Sequence, residues 1–245
     1  MKEIKEKIEL DKINYSVRAA QAVLQYGVGA MVDFADQTLV TAAPETWSNT
    51  KKIYDERFAK ALGVDYFVLP RSVSYSRFPE WYFCPKCREF KKLDEWAEQW
   101  KKLSQNNKRM RDKLEKDNYL VRNMQCPNCF QDLVVSRIVT VCEDGHLNDF
   151  PWKEWVHKKA KKECNQLNPT LKFKTGASGT EGLEGLSIEC SCGARTTLSG
   201  AFDTDVFEKM DDNIFRCKGN HPFNHTVQKC YRYPRTIQRG ASSVY

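Results

Sequence analysis

Two short stretches, Cys84-Pro-Lys-Cys87 and Cys126-Pro-Asn-Cys129, decide how this chain is read. A Cys-x-x-Cys turn places two sulfurs along one edge of a tetrahedron. Two such turns complete the four-thiolate shell that zinc favours. The rival reading, a redox pair of the thioredoxin kind, needs one motif at a helix start rather than two matching knuckles. A structural zinc on Cys84, Cys87, Cys126 and Cys129 is therefore expected.

Working outward, 38 residues separate the two pairs. Leu93, Trp96, Trp100, Leu103, Met110 and Leu114 recur there at helical spacing, among many charged residues. That pattern predicts an amphipathic helix or helical hairpin over about 91–120, packed on the zinc lobe. In the alternative reading, Trp96 and Trp100, or Trp47 near a loop, anchor a partner protein instead.

Six further cysteines and four histidines remain. Grouped by proximity in sequence, Cys142, His146, His157 and Cys164 form one expected site, and Cys190, Cys192, Cys217 and Cys230 another. His221 or His225 could substitute for His157, since spacing alone does not pair ligands. Three structural zinc ions are thus expected. Each set supplies four protein donors, whereas a catalytic zinc keeps a position for water. No His-Glu-x-x-His and no Walker-type phosphate loop occurs. The expectation is a protein that is not an enzyme, with a metal-dependent hydrolase or redox protein as the distant alternative.

Residues 1–80 contain no cysteine and read as a small α/β unit. A helix from Ser16 to Gly27, strands Ala30–Phe34 and Thr38–Thr41, a helix from about Lys51 to Leu62, and a strand Val64–Leu69 halted by Pro70 are expected. Further on, Leu133–Val141 reads as a strand, Pro151–Lys162 as a helix, Gly176–Gly185 as a loop and Leu186–Glu189 as a strand. The fold class is α+β. A unit at 1–80 precedes a zinc-ribbon-like lobe at 81–140 with its helical insert, then a second zinc-binding lobe at 141–245.

Of the 245 residues, 41% are hydrophobic and 29% charged, a globular composition. No stretch approaches the roughly 18–20 apolar residues of a membrane span. The opening Met1-Lys2-Glu3-Ile4-Lys5-Glu6 lacks the apolar core of a signal peptide. A cytoplasmic chain with no membrane partner is expected, and there ten cysteines argue for metal rather than disulfides. Net charge is +7. From Asn213 to Tyr245 there are six cations (Arg216, Lys218, Lys229, Arg232, Arg235 and Arg239) and no acid. Phe215, Phe223, Tyr231 and Tyr233 interleave with them, a pattern that fits phosphate contact combined with base stacking.

Several longer stretches resemble the DrmB family of the DISARM anti-phage system. They are Arg18-Ala-Ala-Gln21, Tyr26-Gly-Val-Gly-Ala-Met-Val-Asp33, Cys142-Glu-Asp-Gly-His-Leu-Asn-Asp-Phe-Pro-Trp152 and Trp155-Val-His157. Gly176-Ala-Ser-Gly179, Cys190-Ser-Cys-Gly-Ala194, Leu198-Ser-Gly-Ala-Phe202 and Gln238-Arg-Gly-Ala-Ser-Ser-Val-Tyr245 follow in order. The resemblance implies an accessory subunit that partners a superfamily 2 helicase, DrmA, and engages DNA. Val28 stands where the family usually has proline, and Ser243 where it has asparagine. Family members continue past the last motif into a further domain. The resemblance therefore implies a split gene product, a truncated homologue or a shortened chain, with a separate chain supplying that domain in the first case.

Overall fold

The computed structural model describes residues 27–34, 37–47, 50–70, 73–116, 124–175, 185–210 and 212–239. The helix expected at 16–27 except Gly27, all of the expected loop at 176–185 except Gly185, and the motif after Arg239 lie outside them. Mixed helix and strand content, in several small antiparallel sheets, agrees with the α+β expectation.

Strands β1 (Met31–Asp33) and β2 (Thr38–Thr41) form a hairpin. Next come β3 (Thr50–Ile53), α1 (Glu56–Leu62) and β4 (Phe67–Pro70). The helix expected from Lys51 begins only at Glu56. Asp55 is its cap, accepting from Phe58 N at 3.0 Å, so the four residues of β3 are free to pair with β4. Gly63 ends α1 at φ 66°, as its sequence position predicts. Pro70 does not halt β4 but closes it, opposite Thr50. Strand β5 (Tyr75–Arg77) then returns to β2.

The main sheet has six strands in the order β13-β12-β11-β7-β6-β8. It takes β6 (Trp81–Phe83), β7 (Glu89–Lys92) and β8 (Val134–Val135) from the first knuckle region. It takes β11 (Leu171–Thr175), β12 (Leu186–Cys190) and β13 (Arg195–Thr197) from farther along the chain. The two lobes expected on either side of residue 140 thus share one sheet. Between β7 and β8 stand α2 (Leu93–Asn106) and α3 (Lys108–Lys116), the expected helical insert, broken at Asn107.

The strand expected at 133–141 is divided. Ser136 N donates to Trp81 O at 2.7 Å, and its hydroxyl accepts from Ile138 N at 3.2 Å. That local bond turns the chain out of the main sheet. Strand β9 (Ile138–Val141) consequently joins a separate sheet, between β10 (Leu147–Asp149) and β16 (Arg235–Gln238).

Helix α4 (Trp152–Lys159) lies against β12 and β13, with the Trp155 indole donating to Thr197 O at 3.1 Å. Trp152 and Trp155 are fully buried with Phe90, Phe150, Ile188 and Phe207 in the largest core. Beyond β13 come α5 (Val206–Lys209) and the short hairpin β14 (Asn220–His221) and β15 (Thr226–Val227).

Candidate metal centres

Ten cysteines and two histidines gather into three tetrads. Within each, one donor atom per residue lies within 4.8 Å of the other three.

The first tetrad is Cys84, Cys87, Cys126 and Cys129. Its two turns share one backbone geometry. Arg88 N donates to Cys84 O at 2.9 Å and Phe130 N to Cys126 O at 2.8 Å, with Arg88 and Phe130 both left-handed. The Sγ atoms of Cys87 and Cys126 are 3.7 Å apart. A tetrahedral zinc with Zn–S near 2.3 Å requires an edge of about 3.8 Å, so the donors fit the ion. Burial pushes the Cys87 thiol up to about 11. Burial opposes ionisation of Cys84 as well, but backbone hydrogen bonds from Cys87 and Lys86 outweigh it and hold that thiol low.

Two buried tryptophans tie the insert to the two turns separately. The Trp96 indole donates to Tyr82 O at 3.1 Å, beside the first, and Trp100 to Gln125 O at 2.5 Å, beside the second. Leu93 and Met110 join them in the core, while Leu103 at the margin of the stripe is exposed. The Leu114 side chain lies outside the described residues. Trp96 and Trp100 are fully buried, so neither is available to anchor a partner. Trp47 is half-buried, its indole donating to Ala42 O.

The other two tetrads exchange the halves expected from sequence proximity. Cys142 and His146 meet Cys217 and Cys230, whereas His157 and Cys164 meet Cys190 and Cys192. The reason lies in the sheets. Strand β16 runs beside β9 and brings the C-terminal segment to the β9–β10 turn. Helix α4 packs instead on β12 and β13, which carries His157 to the turn between them. Neither set grouped by sequence proximity assembles.

In the second tetrad, Gly145 at φ 78° tightens the turn so that His146 Nδ1 comes 3.2 Å from Cys142 Sγ. The far ring nitrogen of His146 is 3.4 Å from Gln228 Oε1, the kind of outer contact that orients a ligand histidine. Asn148 Nδ2 donates to Cys217 Sγ at 3.4 Å. Burial pushes Cys217 up to about 12. Burial also opposes ionisation of Cys142, but hydrogen bonds from His146 and nearby backbone outweigh it and hold that thiol low. His221 belongs to no tetrad; its ring lies tilted against that of His146, centres 4.4 Å apart. His225 faces Ser76, Nε2 to Oγ 3.0 Å.

The third tetrad lies nearest solvent: only Cys190 is buried, while His157, Cys164 and Cys192 are half-buried. His157 Nε2 and Cys192 Sγ are 3.5 Å apart. The slight burial of Cys192 opposes ionisation, but hydrogen bonds from Ala194 N, Cys190 and His157 hold it down to about 7.

The six expected nucleic-acid cations separate into two groups. Arg232 pairs with Glu143 at 2.6 Å and Asp144 at 2.9 Å, inside the Cys142–His146 turn, and Arg239 pairs with Asp33 at 3.1 Å. Arg216 lies over the Tyr233 ring at 4.6 Å and Lys229 over Tyr231 at 5.1 Å; Lys218 and Arg235 are exposed. Of the interleaved aromatics, Phe215 is core and only Tyr231 is exposed.

Among the described residues, no helix is long and apolar enough to cross a membrane. The chain is similar to the DISARM protein DrmB of Bacillus paralicheniformis, 30% identical over 223 residues. That alignment takes in 87% of this chain and 35% of DrmB, so the chain spans about a third of that relative's length. The resemblance read in the sequence motifs is therefore found across nearly the whole chain. Residues 18–245 match one family throughout, and this chain belongs to it: the family described as Domain of unknown function (DUF8724).

Proposed function

We propose that the chain is a non-catalytic, zinc-stiffened accessory module of a DISARM-type anti-phage assembly. In this reading it works beside a DrmA-like helicase and contacts DNA through its basic C-terminal segment. The observation that carries it is the three four-donor tetrads, joined to similarity with a named DISARM protein.

Zinc bound at each tetrad supplies a cross-link between distant segments rather than a reactive centre. The first, in zinc-ribbon style, joins the two Cys-x-x-Cys turns. The second fastens the segment bearing Arg216, Lys218 and Arg235 to the β9–β10 turn. The third locks α4 to the β12–β13 turn. Exposed Lys218, Lys229 and Arg235, the second of them over the ring of exposed Tyr231, support this reading as cations and a ring that could meet phosphate and a base.

Band-shift titration of the metal-loaded chain, at two salt concentrations, tests the DNA part. Binding that weakens steeply with salt supports it, because released counterions set the slope. Absent binding at low salt, or binding insensitive to salt, contradicts it. Co-purification with a DrmA-like helicase supports the partner, and its absence with both proteins folded contradicts it.

A scaffold reading is favoured by a different surface, the exposed apolar residues of the β3–α1–β4 unit.

A further inference from the structure

The three tetrads differ in what else holds their donors. In the first, both Cys-x-x-Cys turns are closed by backbone hydrogen bonds, and Cys84 and Cys126 are wholly buried. In the second, Cys142 N donates to His146 O at 3.3 Å and Cys217 N to Arg232 O at 2.9 Å. Its one half-buried donor, Cys230, donates to Asp144 at 3.6 Å. The third draws on three separate segments. His157 comes from α4, Cys190 and Cys192 from the β12–β13 turn, and Cys164 from the connection between α4 and β11. That connection has little else to hold it. From 163 to 169 no backbone group hydrogen-bonds another, among the described residues. Every residue from 161 to 168 except Cys164 is exposed, Leu167 to 96%. Beyond the tetrad the connection rests on Ser191, whose amide donates to Thr170 O at 2.9 Å and whose hydroxyl donates to the Gln166 side chain.

We infer that the third tetrad is a thiol switch: hydrogen peroxide joins Cys192 to Cys164 in a disulfide, which frees α4 from the β12–β13 turn. This rests on the reading that the tetrad holds zinc. Oxidation selects sulfurs that are accessible and have a second thiol beside them. Cys192 and Cys164 are both half-buried with sulfurs within 4.8 Å, whereas Cys190 is buried at the end of β12. The Cys192 thiolate attacks one peroxide oxygen. An S–O bond forms, the O–O bond breaks, and the departing hydroxide takes a proton and leaves as water. The Cys164 thiolate then attacks the Cys192 sulfur. An S–S bond forms, the S–O bond breaks, and a second hydroxide is protonated to water. Each thiolate gives up one electron, the peroxide takes both, and solvent supplies both protons. Cys164 is the sulfur free to travel, since its connection has no backbone hydrogen bond to break. His157 and Cys190 remain, two donors where zinc takes four. Trp152 and Trp155 keep α4 in the core, so what loosens is its last turn.

Treating the full zinc-loaded chain with about one equivalent of hydrogen peroxide tests this. A chromogenic chelator should record one ion released at least about tenfold faster than the other two. Peptide mass spectrometry should find Cys164 joined to Cys192, and reduction with added zinc should restore three ions. Cys192→His keeps four donors without the attacking sulfur and should slow the release more than about tenfold. Cys164→His keeps the attacking sulfur without its partner, and dimedone should then trap a sulfenic acid at Cys192. Zinc content, measured before oxidation, shows that each chain is loaded. Fewer than three ions in the wild type overturns the zinc reading, and the inference with it. Three ions with no release, with similar release from all sites, or with a disulfide that omits Cys164 or Cys192 overturns the inference alone. So does a loaded Cys192→His chain that releases zinc as fast as the wild type.

Discussion

The region from Trp81 to Gln238 and the unit from Thr50 to Pro70 are both built from very short strands, yet they are secured differently. In the first, strands of two to five residues surround Trp96, Trp100, Trp152 and Trp155, all fully buried, and carry all three tetrads. In the second, two strands of four residues and one short helix bury Ala59 alone among the described side chains. Short strands do not stabilise themselves. The first region has a core and three tetrads able to hold cross-linking ions; the second has neither, and its apolar residues are exposed.

Removing metal should break this comparison most severely. Chelation at neutral pH takes away a contribution on the order of 10 kcal/mol per site. Hydrogen exchange should then show residues 81–238 losing protection together, while residues 50–70, weakly protected at the outset, change little. Equal loss in both would show that the unit depends on the tetrads after all.

One added methyl group should have the next largest effect. A Cβ on Gly219 would lie 1.5 Å from the backbone oxygen of Gln228, between the turns that carry Cys217 and Cys230. Gly219→Ala is expected to destabilise by more than about 4 kcal/mol and to lower metal content by one ion. Denaturant melts and elemental analysis read the two outcomes.

A smaller effect tests the contact between the two halves of the first region. Both Asp149 carboxylate oxygens accept from Glu80 N, at 3.1 and 3.4 Å. Burial, with the nearby Glu80 charge, pushes that acid up to about 7. A raised acid binds its proton more tightly in the fold than when unfolded. Its contribution is therefore whole at low pH and is lost as pH rises from about 4 to 7. Asp149→Asn should flatten that decline by a few kcal/mol at most, seen as a smaller stability difference between pH 5 and pH 8. An unchanged profile would place the titration elsewhere.

The least effect belongs to the outer unit. Gly63, at φ 66°, has nothing within 4 Å of an added Cβ. Gly63→Ala should cost only about 1 kcal/mol, the left-handed strain alone. The contrast with Gly219 measures how tightly each region is built.

The same contrast explains what the sequence discloses. Local chemistry is legible: the twin Cys-Pro-x-Cys turns, the stop at Gly63, and the Leu93, Trp96, Trp100 stripe all declare themselves. The twelve side chains that residue type and spacing mark as donors gather in tetrads. Partnership between distant segments is not legible, because it depends on which strands adjoin. Nothing near Cys142 announces that β16 will lie beside β9, so proximity in sequence chose the wrong halves. Strand β3 was hidden for a related reason, since Lys51 and Lys52 suit a helix until Asp55 is recognised as its cap. Ser136 likewise looks like one more strand residue until its hydroxyl is seen to bond Ile138 and divide the run.

The exchanged halves permit one decisive measurement. Substituting ¹¹³Cd for zinc and recording its NMR spectrum reports the ligand set at each ion, because thiolate and imidazole donors shift the resonance differently. The tetrads observed here predict three signals: one all-thiolate site and two with three thiolates and one imidazole. Two all-thiolate signals and one with two thiolates and two imidazoles, the pattern of the sequence-local grouping, would contradict the account.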